Sequence, residues 1–371
     1  MLDFRPVSLT RVGVALLLGV SGLTAGGTGP YSAYAAEPAG DRWMYPNNST
    51  PGTRPVASTF SFLPFLGVDD RFGQFVVKFD TVAAGIPAGL GPSNYDLHRL
   101  VFTAVYASSD SLAYDPSEDP RSSLGPAATI ADPDPGRPLE LHGTSFRSGF
   151  TAATFQETSP FGSRNAYASG FDTAGVARDV SNSVTLGFDS YPWAIGKISK
   201  PVDLDADPVV YVPLQPGEAI PIHSHVTFEI NLALPGVSDY LRQGLHDGFL
   251  WFALSSFHPV TGPGSGGFPA YFTKENPEQA LYGDVASFLE ADYSLPIRVA
   301  SFSRPAGNNT ASLTWNGSPG FSYVVESTQD LARGVWAPLA SLTTTIPSML
   351  TWTGSAASPR AFFRITRTPQ P

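Results

Sequence analysis

Long helices have little room in a chain where glycine and proline recur as often as they do in this one, 36 and 35 times among 371 residues. Each proline removes a backbone donor and each glycine costs backbone entropy, so regular elements are broken into short pieces. Between the breakers the chain is rich in Phe, Tyr, Val, Leu and Ile, with aromatic residues at 12% and charged residues at only 15%. Short apolar runs between turn formers predict an all-β chain of many strands and loops, with enough apolar side chains to bury a core. At this length two domains fit, each able to form its own core.

Residues 1–35 read as a signal peptide. Arg5 and Arg11 give a positive n-region, residues 12–23 an apolar h-region, and Ser32-Ala33-Tyr34-Ala35 an A-x-A site, so the expected cut follows Ala35. Gly13, Gly19, Ser21 and Gly22 interrupt the apolar run before it reaches the ~18 residues that span hydrocarbon, and no second such run follows. The expectation is a secreted or extracellular-surface protein of a bacterium, with the periplasm as the alternative compartment and no transmembrane segment after cleavage. The absence of cysteine excludes disulfides and thiolate metal sites. A formal net charge of −10 argues against nucleic acid and anionic membranes as partners, since both require clustered Lys and Arg.

After the signal, residues 36–64 are rich in Asn, Ser, Thr and Pro and read as an extended lead-in with one early strand at 58–62. Residues 65–300 read as the main domain, with strands expected at 74–79, 97–106, 183–188, 208–213, 226–234 and 249–257. In the second of these, Leu100, Phe102, Ala104 and Tyr106 alternate with Val101, Thr103 and Val105, so both faces carry apolar groups, as in a central strand. One helix is expected after Ser238, with Asp239 in its first turn and Gly248 as its stop; another starts at Pro277 and extends as far as Leu289. The Asp- and Pro-rich excursion 108–138 is long for a loop. Residues 301–371 carry five short runs, at 310–315, 321–327, 336–342, 349–352 and 361–367, which predict a second small sandwich. The expected fold is a jelly-roll-like antiparallel β-sandwich with short helical decorations, followed by that small β-sandwich.

Two stretches resemble known families. GQFVVKFD (73–80), the Ile86-Pro87-Ala88 loop, LHRLVFTAVY (97–106) and FEINLALPGVSDYLRQGLHDGFLWFALSS (228–256) resemble the DNRLRE-type β-sandwich domains of secreted bacterial proteins, over about half of the chain. The family's eponymous motif is absent, and the excursion 108–138 is an insertion relative to its pattern. The resemblance implies an association with carbohydrate binding. SYVVESTQDLARGVWAPLA (322–340) and RAFFRITR (360–367) resemble fibronectin-III-like C-terminal modules. Neither resemblance carries a catalytic motif onto this chain.

Enzyme motifs are scarce. There is no G-x-S-x-G elbow, Gly264-Ser265-Gly266 lacks the strand and helix that such a turn needs, and no H-E-x-x-H pair occurs. His223 and His225 stand at ligand spacing on one strand face, with Glu218 or Glu229 as a third ligand; the alternative is a pair of polar strand-edge residues. Asp203, Asp205 and Asp207 alternate like the opening of a calcium loop, but Pro208 stands where the turn glycine belongs and Leu214 where a bidentate Glu belongs. Asp115, Glu118, Asp119, Asp132 and Asp134 make a second candidate oxygen cage. No cofactor is expected, with Ca2+ at Asp203, Asp205 and Asp207 as the alternative.

Aromatic side chains give the ligand-binding candidates, because sugar rings stack their C–H faces on Tyr and Trp. Tyr191 and Trp193, splayed by Pro192, come first; Trp43 and Tyr45 come second, while Trp251, Trp315 and Trp352 lie in strand patterns and read as core. The expected function is that of a secreted noncatalytic surface protein, glycan-binding or adhesive, with extracellular polysaccharide or cell-surface components as partners. The alternatives are a polysaccharide-degrading hydrolase or lyase and a purely structural surface component.

Overall fold

The computed structural model describes residues 31–63, 68–108, 112–124, 128–132, 134, 136–172, 175–204, 206, 208–260, 267–282, 285–305, 309–318, 320–346, 348–355 and 361–369. The chain divides into a larger unit, residues 31–92 and 97–293, and a smaller one containing residues 93–96 and 294–371. In chain order the first sixteen strands are β1 Tyr31–Ala35, β2 Gly40–Met44, β3 Val56–Ser58, β4 Phe60–Ser61, β5 Arg71–Asp80, β6 Asp96–Val105, β7 Leu139–Phe146, β8 Ala166–Phe171, β9 Ala177–Asp179, β10 Ala194–Ile195, β11 Lys197–Pro201, β12 Tyr211–Pro213, β13 His225–Glu229, β14 Phe249–Ser256, β15 Ala270–Phe272 and β16 Phe288–Ser294. Three short helices decorate them: α1 Ser183–Leu186, α2 Val237–Asp247 and α3 Pro277–Tyr282.

Among the described residues, two large antiparallel sheets and a two-stranded sheet, β15-β3, make the larger unit. One large sheet runs β1-β16-β6-β13-β11-β12 and the other β2-β5-β14-β7-β8-β9, with β10 paired to β7 and β4 to β5. The apolar faces of the two sheets meet at Phe102 of β6, whose ring centroid lies 5.7 Å from that of Phe79 on β5 and 5.6 Å from that of Phe252 on β14. Phe228 on β13, paired directly with Phe102 in register, adds a further ring at 5.9 Å. All four rings are buried. Helix α2 packs on β14 through buried Val237, Leu241 and Leu245, and Gly236 and Gly248 bound it, both at positive φ.

The smaller unit consists of two three-stranded antiparallel sheets. Strands β17 Val299–Ser303, β18 Thr310–Gly317 and β21 Ser348–Ser355 form one; β19 Phe321–Thr328, β20 Ala337–Thr343 and β22 Phe362–Pro369 form the other. Leu313, Trp315 and Trp352 of the first pack with Tyr323, Val325 and Phe363 of the second in one buried cluster. The all-β class and the strand-rich C-terminal region follow the sequence expectation, and Trp251, Trp315 and Trp352 are core residues. Among the described residues, no helix is long and apolar enough to cross a membrane.

Four expectations differ from the fold. Residues 183–188 are not a strand: Val180–Asn182 forms a 3-10 turn whose Asp179 carboxylate accepts from Ser181 N at 2.9 Å, and α1 follows, ended by Gly187 at φ 74°. Side-chain capping has overridden the apolar alternation there. The segment 36–64 is integrated into the sandwich, since β2 pairs with β5 over all five of its residues and β3 pairs with β15. Its polar letters hide this because Asp41 and Arg42 are buried against partners, Asp41 accepting from Lys274 N at 2.8 Å and Arg42 donating to the Glu157 carbonyl at 3.2 Å. Helix α3 ends at Tyr282, and the expected extension to Leu289 runs instead into β16 with strict alternation of burial. Finally, Tyr31–Ala35, inside the segment read as a signal peptide, is strand β1.

Truncating Phe102 would empty the meeting point of the two sheets. Phe102→Ala is expected to destabilise the larger unit by about 3–5 kcal/mol, the range for a fully buried phenylalanine. Denaturant unfolding followed by tryptophan fluorescence checks this; a loss under 1 kcal/mol would place the core elsewhere.

Candidate functional site

Arg71 opens β5 and is buried to 1% exposure, an uncommon place for a guanidinium. Glu140 on the adjacent face of β7 receives it in bidentate fashion, Nε to Oε2 at 2.7 Å and Nη2 to Oε1 at 3.1 Å. The remaining donors reach the capped turn and α1: Nη1 donates to the Val180 carbonyl at 2.7 Å and to Ser183 Oγ at 2.8 Å, and Nη2 to Ser190 Oγ at 3.1 Å. The Phe257 ring covers the guanidinium carbon at 3.9 Å. Ser255 Oγ donates to Glu140 Oε2 at 3.1 Å, and His142 Nε2 lies 3.4 Å from the same oxygen. Burial alone would raise the Glu140 carboxyl, but the Arg71 charge, together with hydrogen bonds from His142 and Arg71, holds it well below the usual carboxylate range.

Arg71 and Glu140 line a cavity of about 280 Å3 in which charged groups stand beside the apolar Leu124, Val184, Phe188 and Phe257. Its walls carry Glu118, Asp119 and Arg121 from the long excursion and Asp189, Ser190 and Tyr191 from the segment after α1. Asp119 is pushed up to about 6 by burial, against the pull of Arg137, whose Nη1 donates to Asp119 Oδ2 at 2.7 Å and to Asp132 Oδ2 at 2.5 Å. The Glu118 side chain reaches solvent at the mouth, yet partial burial and the neighbouring Glu140 and Asp189 raise its carboxyl too.

A second cavity, of about 260 Å3 and apolar, is lined by Phe171, Asp172, Tyr191, Trp193, Leu234, Pro235 and Val237. Tyr191 lines both cavities and is 41% exposed, whereas Trp193 is 1% exposed. The Trp193 ring therefore is not an outward platform: it lies parallel to Phe171 at 6.1 Å and edge-on to Tyr240 at 4.9 Å. It reaches this depth because β7 carries Gly143 beneath it, where a Cβ would meet Trp193 Cη2 at 2.2 Å.

The other candidates scatter. Trp43 stacks on Tyr45 at 4.6 Å and donates its Nε1 to the Ser58 carbonyl at 2.8 Å, while Tyr45 packs edge-on against Phe60 and Phe72. This aromatic cluster lines neither cavity. Asp203 is exposed, and Asp205 and Asp207 lie outside the described residues. His223 and His225 do not share a face: His223 sits at φ 65° ahead of β13, against Phe272 and Glu278, while His225 stacks on Tyr211 at 3.7 Å. Among the described residues, no group of three His, Asp or Glu could hold a metal ion.

Sequence reading missed Arg71, Glu140, Arg121 and Asp189. A usable signal lay in Leu139-Glu140-Leu141-His142, where two ionisable groups alternate inside an apolar run. Compared with protein families and with curated proteins, the chain finds no match.

Two outcomes follow from the electrostatics. Glu140→Gln strands the Arg71 charge in the interior and is expected to cost about 3–5 kcal/mol in denaturant unfolding, with a loss below 1 kcal/mol counting against the network. The folded Asp119 carboxyl binds its proton more tightly than the unfolded one, so its contribution to stability falls as pH rises from about 4 to about 6. Asp119→Asn should remove about 1–2 kcal/mol of that fall, measured as unfolding free energy against pH.

Proposed function

We propose that the larger unit binds a saccharide across the two cavities joined at Tyr191. The observation that carries this reading is the exposed Tyr191 ring, which lines both an apolar cavity and one that carries charged groups. A pyranose has the same division, with C–H faces that pack on aromatic rings and hydroxyls that need carboxylate, guanidinium and hydroxyl partners. In this reading Tyr191 and Phe171 supply the packing surface over the buried Trp193, and Asp189, Ser190, Arg121 and Asp119 the hydrogen bonds. The reading agrees with the expected export and with the carbohydrate association that the DNRLRE-type resemblance implies. It gives the smaller unit the role of spacer or attachment module at a cell surface.

Glu140 supports a binding role over catalysis, because both of its oxygens are taken up by Arg71, Ser255 and His142. One observation favours a second reading, a polysaccharide hydrolase: Glu118 and Asp119, both raised, share a cavity with Glu140, whose carboxyl is lowered. Carboxyls driven apart in this way are how a cleft separates an acid from an ionised partner.

Purified protein screened against a panel of neutral polysaccharides, for both retention and product release, tests the two together. The expected result is retention without release, weakened about five- to thirtyfold by Tyr191→Ala, whose ring accounts for about 1–2 kcal/mol of stacking. Release of sugars that stops in Glu118→Gln would install the hydrolase reading. A panel with no retention and no release would overturn both.

A further inference from the structure

We propose that Tyr31–Ala35 remains in the exported protein as a structural strand, and that the leader is cut upstream, in the small-residue run Ala25-Gly26-Gly27-Thr28-Gly29. The proposal rests on the export reading of the N-terminus but not on the saccharide reading.

Strand β1 is fully engaged with β16. All five of its residues stand in antiparallel register, from Tyr31 opposite Tyr293 to Ala35 opposite Leu289. Ser32 Oγ donates to Asp292 Oδ1 at 2.7 Å, the rings of Tyr31 and Tyr293 lie 5.5 Å apart, and those of Tyr34 and Phe288 lie 5.8 Å apart. A cut after Ala35 would strip these pairings from β16, which is flanked by β6 on its other side, and turn it into a bare sheet edge. The face of β16 toward the core carries buried Leu289, Ala291 and Tyr293, so the bared edge would present the kind of pairing template that exported proteins otherwise protect.

The alternation of β1 also accounts for the apparent cleavage motif. Tyr31, Ala33 and Ala35 form the half-buried face, opposite Tyr293, Ala291 and Leu289, while Ser32 and Tyr34 face solvent. Small residues at two positions apart are what this strand needs against Ala291 and Leu289, so A-x-A here is a strand pattern as well as a peptidase pattern.

The test expresses the full chain in a bacterial host with an export pathway and determines the N-terminus of the exported product by mass and Edman sequencing. A start between Gly26 and Tyr31 is expected, and a start at Ala36 would overturn the proposal. An intact chain starting at Met1 and held in the cytoplasm would overturn the export reading itself, and the cut with it. Ala33→Leu with Ala35→Leu blocks any peptidase at the downstream site; unchanged processing supports the upstream cut, and arrested processing refutes it. A measurement independent of export compares chains running from Tyr31 and from Ala36 to Pro371. The shorter is expected to melt about 5 °C lower or more, and equal melting temperatures would show that β1 is dispensable.

Discussion

The Arg71–Glu140 pair is the constraint on which the candidate site is built. Taking both charges out of water costs several kcal/mol per ion, and their attraction repays this only when the remaining hydrogen-bonding capacity is filled. It is filled here: Arg71 spends its donors on Glu140, Val180, Ser183 and Ser190, and Glu140 takes a further hydroxyl from Ser255. The consequence is positional. Residues 180–190 carry a 3-10 turn and the single turn of α1, and they are pinned against β5 and β7 by this guanidinium together with Asp70, which accepts from Thr185 N at 2.8 Å, and Gln74, which donates to Ser181 Oγ at 2.9 Å. A cavity wall fixed in this way presents Asp189, Ser190 and Tyr191 without ordering them on ligand entry, which is the condition for economical binding.

The same logic of depth explains why the two rings of Tyr191-Pro192-Trp193 part company. The six-membered ring of Trp193 lies over Gly143, parallel to Phe171 and edge-on to Tyr240, where no larger residue on β7 would leave space. Its backbone N donates to the Leu141 carbonyl at 2.8 Å, and Gly196 N donates to the Leu139 carbonyl at 2.9 Å, so β10 is laced onto β7 on either side of the indole. Anchored two residues away, Tyr191 is left at the junction of the cavities. The buried tryptophan is the anchor and the exposed tyrosine is the contact surface.

How much of this was legible in the sequence depended on the range of the interaction. Alternation within β6, the Gly248 stop of α2 and the turn formers separating β18 from β19 are all local, and those elements stand where the residues place them, although α2 starts at Val237 with Gly236 rather than Ser238 at its N-cap. Strand β2 was hidden because its buried Asp41 and Arg42 look like surface residues until Lys274 and Glu157, more than 100 residues away, are brought to them. Residues 183–186 were misread for a local reason, since a β-like run of Val, Thr and Leu lost to the cap at Asp179 and the glycine at 187. The Tyr191 neighbourhood was found from the local Tyr191-Pro192-Trp193 pattern, whereas Arg71 and Glu140 lie 69 positions apart and acquire meaning only when β14 brings β5 and β7 to either side of it. Glu118 and Asp119 were noticed as carboxylates and assigned to a cation cage; the fold gives Asp119 to Arg137 and turns both toward the cavity that Arg71 and Glu140 line.

That arrangement also limits what charge a ligand can carry. Arg71 is neutralised by Glu140 and offers no net attraction to an anion. Arg121, the other cation of the cavity, has Asp189 within 3.8 Å. Glu118 adds a carboxylate to the cavity, while Asp119 is paired with Arg137 and, in the second cavity, Asp172 with Arg178 at 2.9 Å. The balance facing a ligand is thus negative, in keeping with the formal charge of −10 for the chain. Like-charge approach is penalised most where water is excluded. A uronate or sulfated sugar would meet that penalty without a free cation to offset it, whereas a neutral sugar offers hydroxyls as donors to the same carboxylates. The electrostatics of the cavities therefore narrow the proposed ligand class from saccharides in general to neutral ones.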